Sequence, residues 1–155
     1  MKILIWTGHH DPLDAAIKFL THGRGSHAAF LRYDGVTVHE AFYPKVRDRK
    51  LTALDKKNAE AFSLSGLRHH HHAMFEHLFD SNLKQNIRYS FADLFRYALN
   101  LPCRDERHTF CSRYVLHCCN AILPPELMPL VRLPFKDWAS PRDLRISPRL
   151  ITTKL

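Results

Sequence analysis

The sequence predicts an α+β fold in which an antiparallel sheet packs against helices. Three observations carry that expectation. Alternating or aliphatic β-type runs crowd into the first third of the chain, apolar residues at helical spacing fill the middle, and one strong hairpin dipeptide joins two of the β runs. Strands and helices that segregate along the chain indicate α+β rather than repeated βαβ units.

Lys2 to Trp6 is aliphatic and alternating and reads as a strand. Asp11-Pro12-Leu13-Asp14 opens a helix. Asp11 can accept from first-turn amides, Pro12 suits a position whose N–H is unbonded anyway, and Ala15, Ala16, Phe19 and Leu20 give an apolar face. Gly23-Arg24-Gly25 ends it. Ser26 to Tyr33 and Val36 to Phe42 are β-rich and are joined by Asp34-Gly35, a pair that takes the backbone torsions of a tight hairpin at little cost. Glu60 to Leu64 is a further strand. Leu67 to Leu83 reads as a helix with Met74, Phe75, Leu78 and Phe79 on one side. Ser90 caps another, whose Phe91, Leu94, Phe95, Ala98 and Leu99 recur at helical spacing, and the aromatic face Phe91 and Phe95 with Leu94 reads as core. Thr109 caps a third, from Phe110 to about Ile122, stopped by Pro124-Pro125. The remainder is Pro-rich and basic, with one strand expected near Met128 to Leu133.

A chain of 155 residues, 45% hydrophobic and 25% charged, has the size and composition of one folded domain, expected to span 1–155, and disorder is the poorer reading. Lys and Arg outnumber Asp and Glu by 23 to 15, a formal charge of +8 that favours anionic partners such as nucleic acid, phospholipid headgroups or a wall polymer. The excess is scattered. Its local concentrations are Lys45, Arg47, Arg49 and Lys50, and Arg142, Arg145 and Arg149, for which a solvated surface is the simpler account. The first residues lack a signal-peptide pattern, and no apolar stretch approaches the ~18 residues of a membrane span, so a cytoplasmic location is expected. Cys103, Cys111, Cys118 and Cys119 form no CxxC pair and read as reduced thiols.

Cys111 is the residue with a chemical setting. Two residues after an N-cap at Thr109, it falls in a first helical turn, where unpaired amides and the helix dipole favour an anion. The thiolate is the nucleophilic form of cysteine, and the same free amides can hydrogen-bond an oxyanion on an attacked carbonyl. Cys118 and Cys119 fall two turns further in and read as small core residues. A nucleophilic sulfur needs a base that also returns the proton to the leaving group. His27 lies at the start of a strand in Gly25-Ser26-His27-Ala28-Ala29-Phe30, and Glu40 lies on the hairpin's second strand in Val38-His39-Glu40-Ala41-Phe42. Glu40 can fix the imidazole tautomer and orient the ring, as the third member of a triad does. Taken alone, a histidine on a strand is more simply a satisfied structural residue.

The order of these motifs resembles the circularly permuted NlpC-type branch of papain-like cysteine hydrolases, and within it the bacterial YiiX-like group. The residues that carry the resemblance are Ser26-His27-Ala28-Ala29-Phe30, Val38-His39-Glu40-Ala41, Ile87-Arg88-Tyr89-Ser90, Phe110-Cys111-Ser112-Arg113-Tyr114-Val115 and Ala139-Ser140-Pro141-Arg142-Asp143-Leu144. The likeness spans Lys2 to about Pro148. It implies a papain-like fold with Cys111 as nucleophile, His27 as base and Glu40 as the orienting residue. It also implies a site lined by Tyr89, Ser112, Arg113 and Ser26. Arg113 departs from the acidic residue common at that position, which bears on substrate contacts rather than on the triad. The activity implied is attack on an amide, ester or thioester through an acyl-enzyme, by hydrolysis or acyl transfer. The implied substrates are peptides, lipids or cell-wall material, and no cofactor is required.

Rival constellations are weaker. Four consecutive histidines, His69 to His72, fan around a helix, so at most two share a face, with Glu76 as the nearest carboxylate. A zinc site from Cys103, Cys111, Cys118, Cys119, His108 and His117 fits no standard ligand spacing, so no metal is expected. His9-His10-Asp11 sits at a turn where capping accounts for Asp11. The remaining alternative to an enzyme is a catalytically silent basic module that binds nucleic acid or anionic lipid.

Overall fold

The computed structural model describes residues 1–8, 15, 17–19, 24–99, 101, 108–128 and 140–155. The expected helix start at Asp11, the His9-His10-Asp11 cluster, Cys103 and most of the strand expected near Met128 to Leu133 lie outside the described residues. The described residues form a mixed α+β structure with an eight-stranded sheet. Its strands are β1 (Lys2–Trp6), β2 (His27–Leu31), β3 (Thr37–Phe42), β4 (Lys45–Lys50), β5 (Ala59–Leu64), β6 (Arg88–Tyr89), β7 (His108–Thr109) and β8 (Leu150–Thr153). They lie in the order β7-β6-β4-β3-β2-β1-β5-β8. Every pairing is antiparallel except the short β6–β7 contact at one edge. The helices are α1 (Ala53–Asn58), α2 (His69–Lys84), α3 (Phe91–Ala98), α4 (Cys111–Ile122) and α5 (Pro141–Arg145).

Strand β1 is apolar almost throughout because both faces of the sheet are covered at its centre. Ile3, Ile5, Ala28, Phe30 and Ala41 face one core, built with Phe75 and Phe79 of α2, Tyr114, Val115, Leu116, Cys118 and Cys119 of α4, and Leu144 of α5. Leu4, Trp6, Ala29, Leu31, Val38 and Ala61 form a smaller core on the other face. By strand alternation His27 belongs with Ala29 and Leu31, and Glu40 with Val38. His39 points the opposite way, toward the helices.

The β2–β3 hairpin forms as expected, but with a wider loop than a two-residue turn. The carboxylate of Asp34 accepts from the Val36 and Thr37 amides and from the Thr37 hydroxyl, and Gly35 adopts φ +72°. The run Lys45 to Lys50 is not a solvated basic surface but strand β4, which pairs with β3 along six residues. Alternation sends Arg47 and Arg49 to the face of Glu40 and Asp48 to the face of His39. Cross-strand ion pairs thus supply what apolar residues supply elsewhere in the sheet.

Several helix expectations are corrected. Residues 15 and 17–19 are helical, but the inward residue is Ile17, packed with Leu94 and Phe110, while Phe19 is 80% exposed. Met74 is exposed, because α2 buries His71, Phe75, Phe79 and Asn82, at spacings of four and three residues. Ser90 does cap α3, its hydroxyl accepting from the Asp93 amide at 3.0 Å, but Phe95 is 57% exposed and Leu99 is exposed too. An eight-residue helix has room for only one narrow buried stripe, and Asp93 and Leu94 occupy it. Thr109 does not cap α4. It ends β7, and Phe110 is the N-cap, without a side-chain cap bond.

Candidate catalytic site at the start of helix α4

Cys111 is the first residue of α4, reached directly from β7 through Phe110. No cap side chain takes the first-turn amides, so they remain available to an anion at this end of the helix. The side chain is 1% exposed and lies next to His27, whose pKa it helps to raise. His27 is held on its other side by Glu40, whose Oε2 lies 3.0 Å from His27 Nε2. With Nε2 committed to the carboxylate, Nδ1 is the nitrogen left for the sulfur. The imidazole also packs between Trp6, at a ring distance of 5.1 Å, and Phe42, edge-on at 5.8 Å. Two aromatic neighbours and one carboxylate leave the ring little freedom to turn.

Glu40 is buried, so its charge must be compensated. Its Oε1 accepts from Arg47 Nε at 3.0 Å and from Arg49 Nε at 2.9 Å. Arg49 in turn grips Asp55 with both terminal nitrogens, at 2.6 and 3.0 Å. Asp55 accepts from Trp6 Nε1 at 3.0 Å and closes a capping box with Thr52 at the start of α1. The site is thus one connected series: Cys111, His27, Glu40, the two arginines, Asp55 and back to Trp6.

The electrostatics follow from this arrangement. Burial pulls the His27 pKa down, but hydrogen bonding by the ring toward Cys111 and Glu40 and the negative charge of both outweigh it and push it up to about 10. Burial pushes Glu40 up, and the bond and charge of His27, with the charge and bond of Arg49, overcome this and hold it at about 2. The geometry therefore favours an imidazolium beside a permanent carboxylate. Tyr89 is half-buried with its pKa raised, first by burial and then by the charge of Cys111.

Of the other expected lining residues, Ser26 is fully buried and closes the β1–β2 pair, donating from its amide to the Trp6 carbonyl at 2.9 Å. Ser112 is fully buried, and its hydroxyl has no hydrogen-bond partner among the described residues. Arg113 is turned into the fold, donating to the His108 carbonyl at 2.6 Å and lying 3.9 Å from Asp93. The histidine run begins α2, where the His71 ring accepts from the Arg68 amide, and Glu76 is taken by Arg32 and the Tyr33 amide. Arg47, Arg49, Asp55 and Trp6 were missed by sequence reasoning. The available signal was the alternation of Lys45, Arg47 and Arg49 with Val46 and Asp48, directly after the strand that carries Glu40.

No protein-family model matches the chain, and no curated protein sequence matches it. Among solved structures, the chain is similar to the metalloprotein yiiX from Escherichia coli O157:H7 (DUF1105), with a TM-score of 0.70 at 18% identity, covering 98% of this chain and 94% of that one. The fold is therefore YiiX-like. No described helix is long and apolar enough to cross a membrane.

Proposed function

We propose that this chain is a thiol hydrolase or acyltransferase of the permuted NlpC, papain-like type, acting on an amide, ester or thioester bond in a peptide, lipid or wall-derived substrate. The observation that carries the reading is the series Cys111–His27–Glu40. A sulfur at a helix N-terminus neighbours an imidazole whose pKa it helps to raise, and that imidazole lies 3.0 Å from a buried carboxylate. In the reaction, the Cys111 thiolate attacks the carbonyl carbon, and the free amides at the start of α4 hydrogen-bond the developing oxyanion. As the tetrahedral intermediate collapses, the His27 imidazolium gives its proton to the leaving group. Neutral His27 then takes a proton from water or another acceptor, which displaces the acyl group from sulfur and regenerates the thiolate–imidazolium pair. Glu40 stays ionised throughout and stabilises the imidazolium.

The neighbour's name calls it a metalloprotein. Among the described residues no group of three or more His, Cys, Asp and Glu side chains is arranged to hold one. Glu40 has both oxygens committed, to His27 and to the arginines. The alternative of a basic binding module is weakened by the same contacts, since Arg47 and Arg49, in the densest basic run, are spent on Glu40 and Asp55.

The test is to screen acyl-ester, thioester and peptidoglycan-peptide substrates against the protein and its Cys111→Ala variant. Turnover that vanishes in the variant supports the reading. A protein inert to all three that is retained on nucleic acid, with steep salt dependence indifferent to Cys111→Ala, would replace it.

A further inference from the structure

We infer that His39 is a positioning residue for the Cys111 nucleophile and acts through Tyr114; this rests on the thiol reading above. His39 and Glu40 are neighbours on β3, and alternation sends them to opposite faces. Glu40 serves His27. His39, fully buried, serves the helix that carries the sulfur: its Nε2 lies 2.7 Å from the hydroxyl of Tyr114 on α4. Its Nδ1 meets Asp48, which is tied to Arg32 at 2.6 Å, and Asn82 of α2 donates to the Tyr114 hydroxyl at 2.8 Å. With the ring neutral, one proton arrangement satisfies every member. Nδ1–H donates to Asp48, the Tyr114 hydroxyl donates to Nε2, and the Tyr114 oxygen accepts from Asn82. The series uses the hydrogen-bond pattern of a triad, but His39, Tyr114 and Asn82 are buried and only Asp48 reaches the surface, on the face of the sheet opposite Glu40.

Tyr114 lies three residues after Cys111, on the same face of α4 and one turn along. Fixing Tyr114 therefore fixes the rotation and height of the helix end that presents the sulfur. The His39 ring is stacked on Phe79 at 4.2 Å, so an apolar ring would fill this site equally well by volume. Apolar contacts tolerate sliding between a helix and a sheet, whereas a hydrogen bond constrains distance to a few tenths of an ångström and also direction. A buried polar series that sets one register is a recognised use of such groups. Here it ties the strand that orients His27, through Glu40, to the helix that carries Cys111. Reacting groups displaced by about 1 Å lose on the order of 100-fold in rate, which makes such a tie consequential.

The experiment follows the rate of Cys111 alkylation by iodoacetamide across pH, read by peptide mass spectrometry, with folding checked by near-ultraviolet circular dichroism. Tyr114→Phe removes one oxygen, and His39→Phe keeps the stacked ring but loses both bonds. Each is expected to slow alkylation at neutral pH about 10-fold and to move the pH midpoint upward. His39→Gln, which keeps a hydrogen-bonding group toward Tyr114, should recover at least half of the rate. Asn82→Leu removes the other partner of Tyr114 without cutting the tie, so it should lower stability and leave the midpoint in place. If His39→Phe fails to fold, Tyr114→Phe decides alone. A folded Tyr114→Phe with the wild-type profile, or an equal shift in Asn82→Leu, overturns the inference. A wild-type Cys111 that titrates like a free thiol overturns the functional reading instead.

Discussion

His27 and Glu40 meet at 3.0 Å, and the oxygen of Glu40 that His27 does not use is shared by two arginines from the neighbouring strand. The carboxylate is therefore fixed as an anion from both sides, and the imidazole gains a permanent counter-charge. Four residues on three adjacent strands produce this arrangement, and none of them needs to touch a substrate to exert it.

The first consequence concerns Glu40→Gln. The amide keeps the size of the side chain but removes the anion that Arg47 and Arg49 share, leaving Arg49 only Asp55, and removes the counter-charge of His27. Breaking a buried ion pair from one side costs about 3 kcal/mol, and a loss of that order is expected in urea unfolding. His27, followed by NMR, should titrate well below the value of about 10 that the native contacts impose. An unchanged His27 titration in the folded variant would show that Glu40 does not set the charge on the imidazole.

The stability of the protein should depend on pH in a direction fixed by the same pair. His27 is raised from 6.5 to about 10, so its contribution is complete below pH 6.5 and is lost as pH rises toward 10. Glu40 is lowered from 4.5 to about 2, so its contribution is complete above pH 4.5 and is lost as pH falls toward 2. Both are fully present between 4.5 and 6.5. In Cys111→Ala, where Glu40 is left to hold the proton on His27, calorimetry should find Tm falling as pH rises above 6.5; in the wild type a thiolate at Cys111 offsets that proton, so the fall should be shallower. A Tm that climbs above pH 6.5 in Cys111→Ala contradicts the pairing of His27 with Glu40.

Selective thiol chemistry is expected along α4. Burial pushes Cys118 up to about 12 and Cys119 well above the usual thiol range, so neither presents a thiolate near neutral pH. Cys111 sits at a helix N-terminus whose amides no cap side chain takes, next to His27, whose pKa is pushed up to about 10. Iodoacetamide at about pH 6.5, where an ordinary thiol of pKa about 8.5 is almost wholly protonated, should label Cys111 and spare Cys118 and Cys119. Because Cys111 is almost wholly buried, bulky maleimides should react far more slowly than iodoacetamide. Equal labelling of Cys118 would remove the basis for singling out Cys111.

The sequence made the local parts of this site legible and hid the parts that depend on pairing. The pairing of His27 with Glu40 could be anticipated because Asp34-Gly35 brings the two strands into one hairpin. Cys111 could be placed in a first turn even though the wrong residue was assigned as its cap, since Thr109 and Phe110 differ by a single position. Arg47 and Arg49 were hidden because Lys, Arg and Asp are poor strand formers, and such a run reads as surface until its partner strand is known. His39 and Tyr114 are 75 residues apart, and no local pattern relates them. Phe95 shows the converse failure, since helical spacing marks a face without saying whether anything packs on it.

The two arginines on Glu40 should not contribute equally. Arg47 has 40% of its side chain exposed and lies over the ring of Phe42, where water competes for its charge. Exposed pairs of that kind contribute about 0–1 kcal/mol, so Arg47→Met should fall in that range. Arg49 is better shielded, lies over the Trp6 ring and joins two buried carboxylates, Glu40 and Asp55. Arg49→Met keeps the apolar stem but leaves both carboxylates short of donors, and a loss of about 2–3 kcal/mol is expected. Asp55→Asn removes one of its partners, and the double variant Arg49→Met/Asp55→Asn should recover about 1–2 kcal/mol relative to the sum of the single losses. Urea unfolding of the four proteins closes the cycle. Additive losses would mean that Arg49 and Asp55 do not act as a unit, and the clamp behind His27 would then reduce to Glu40 alone.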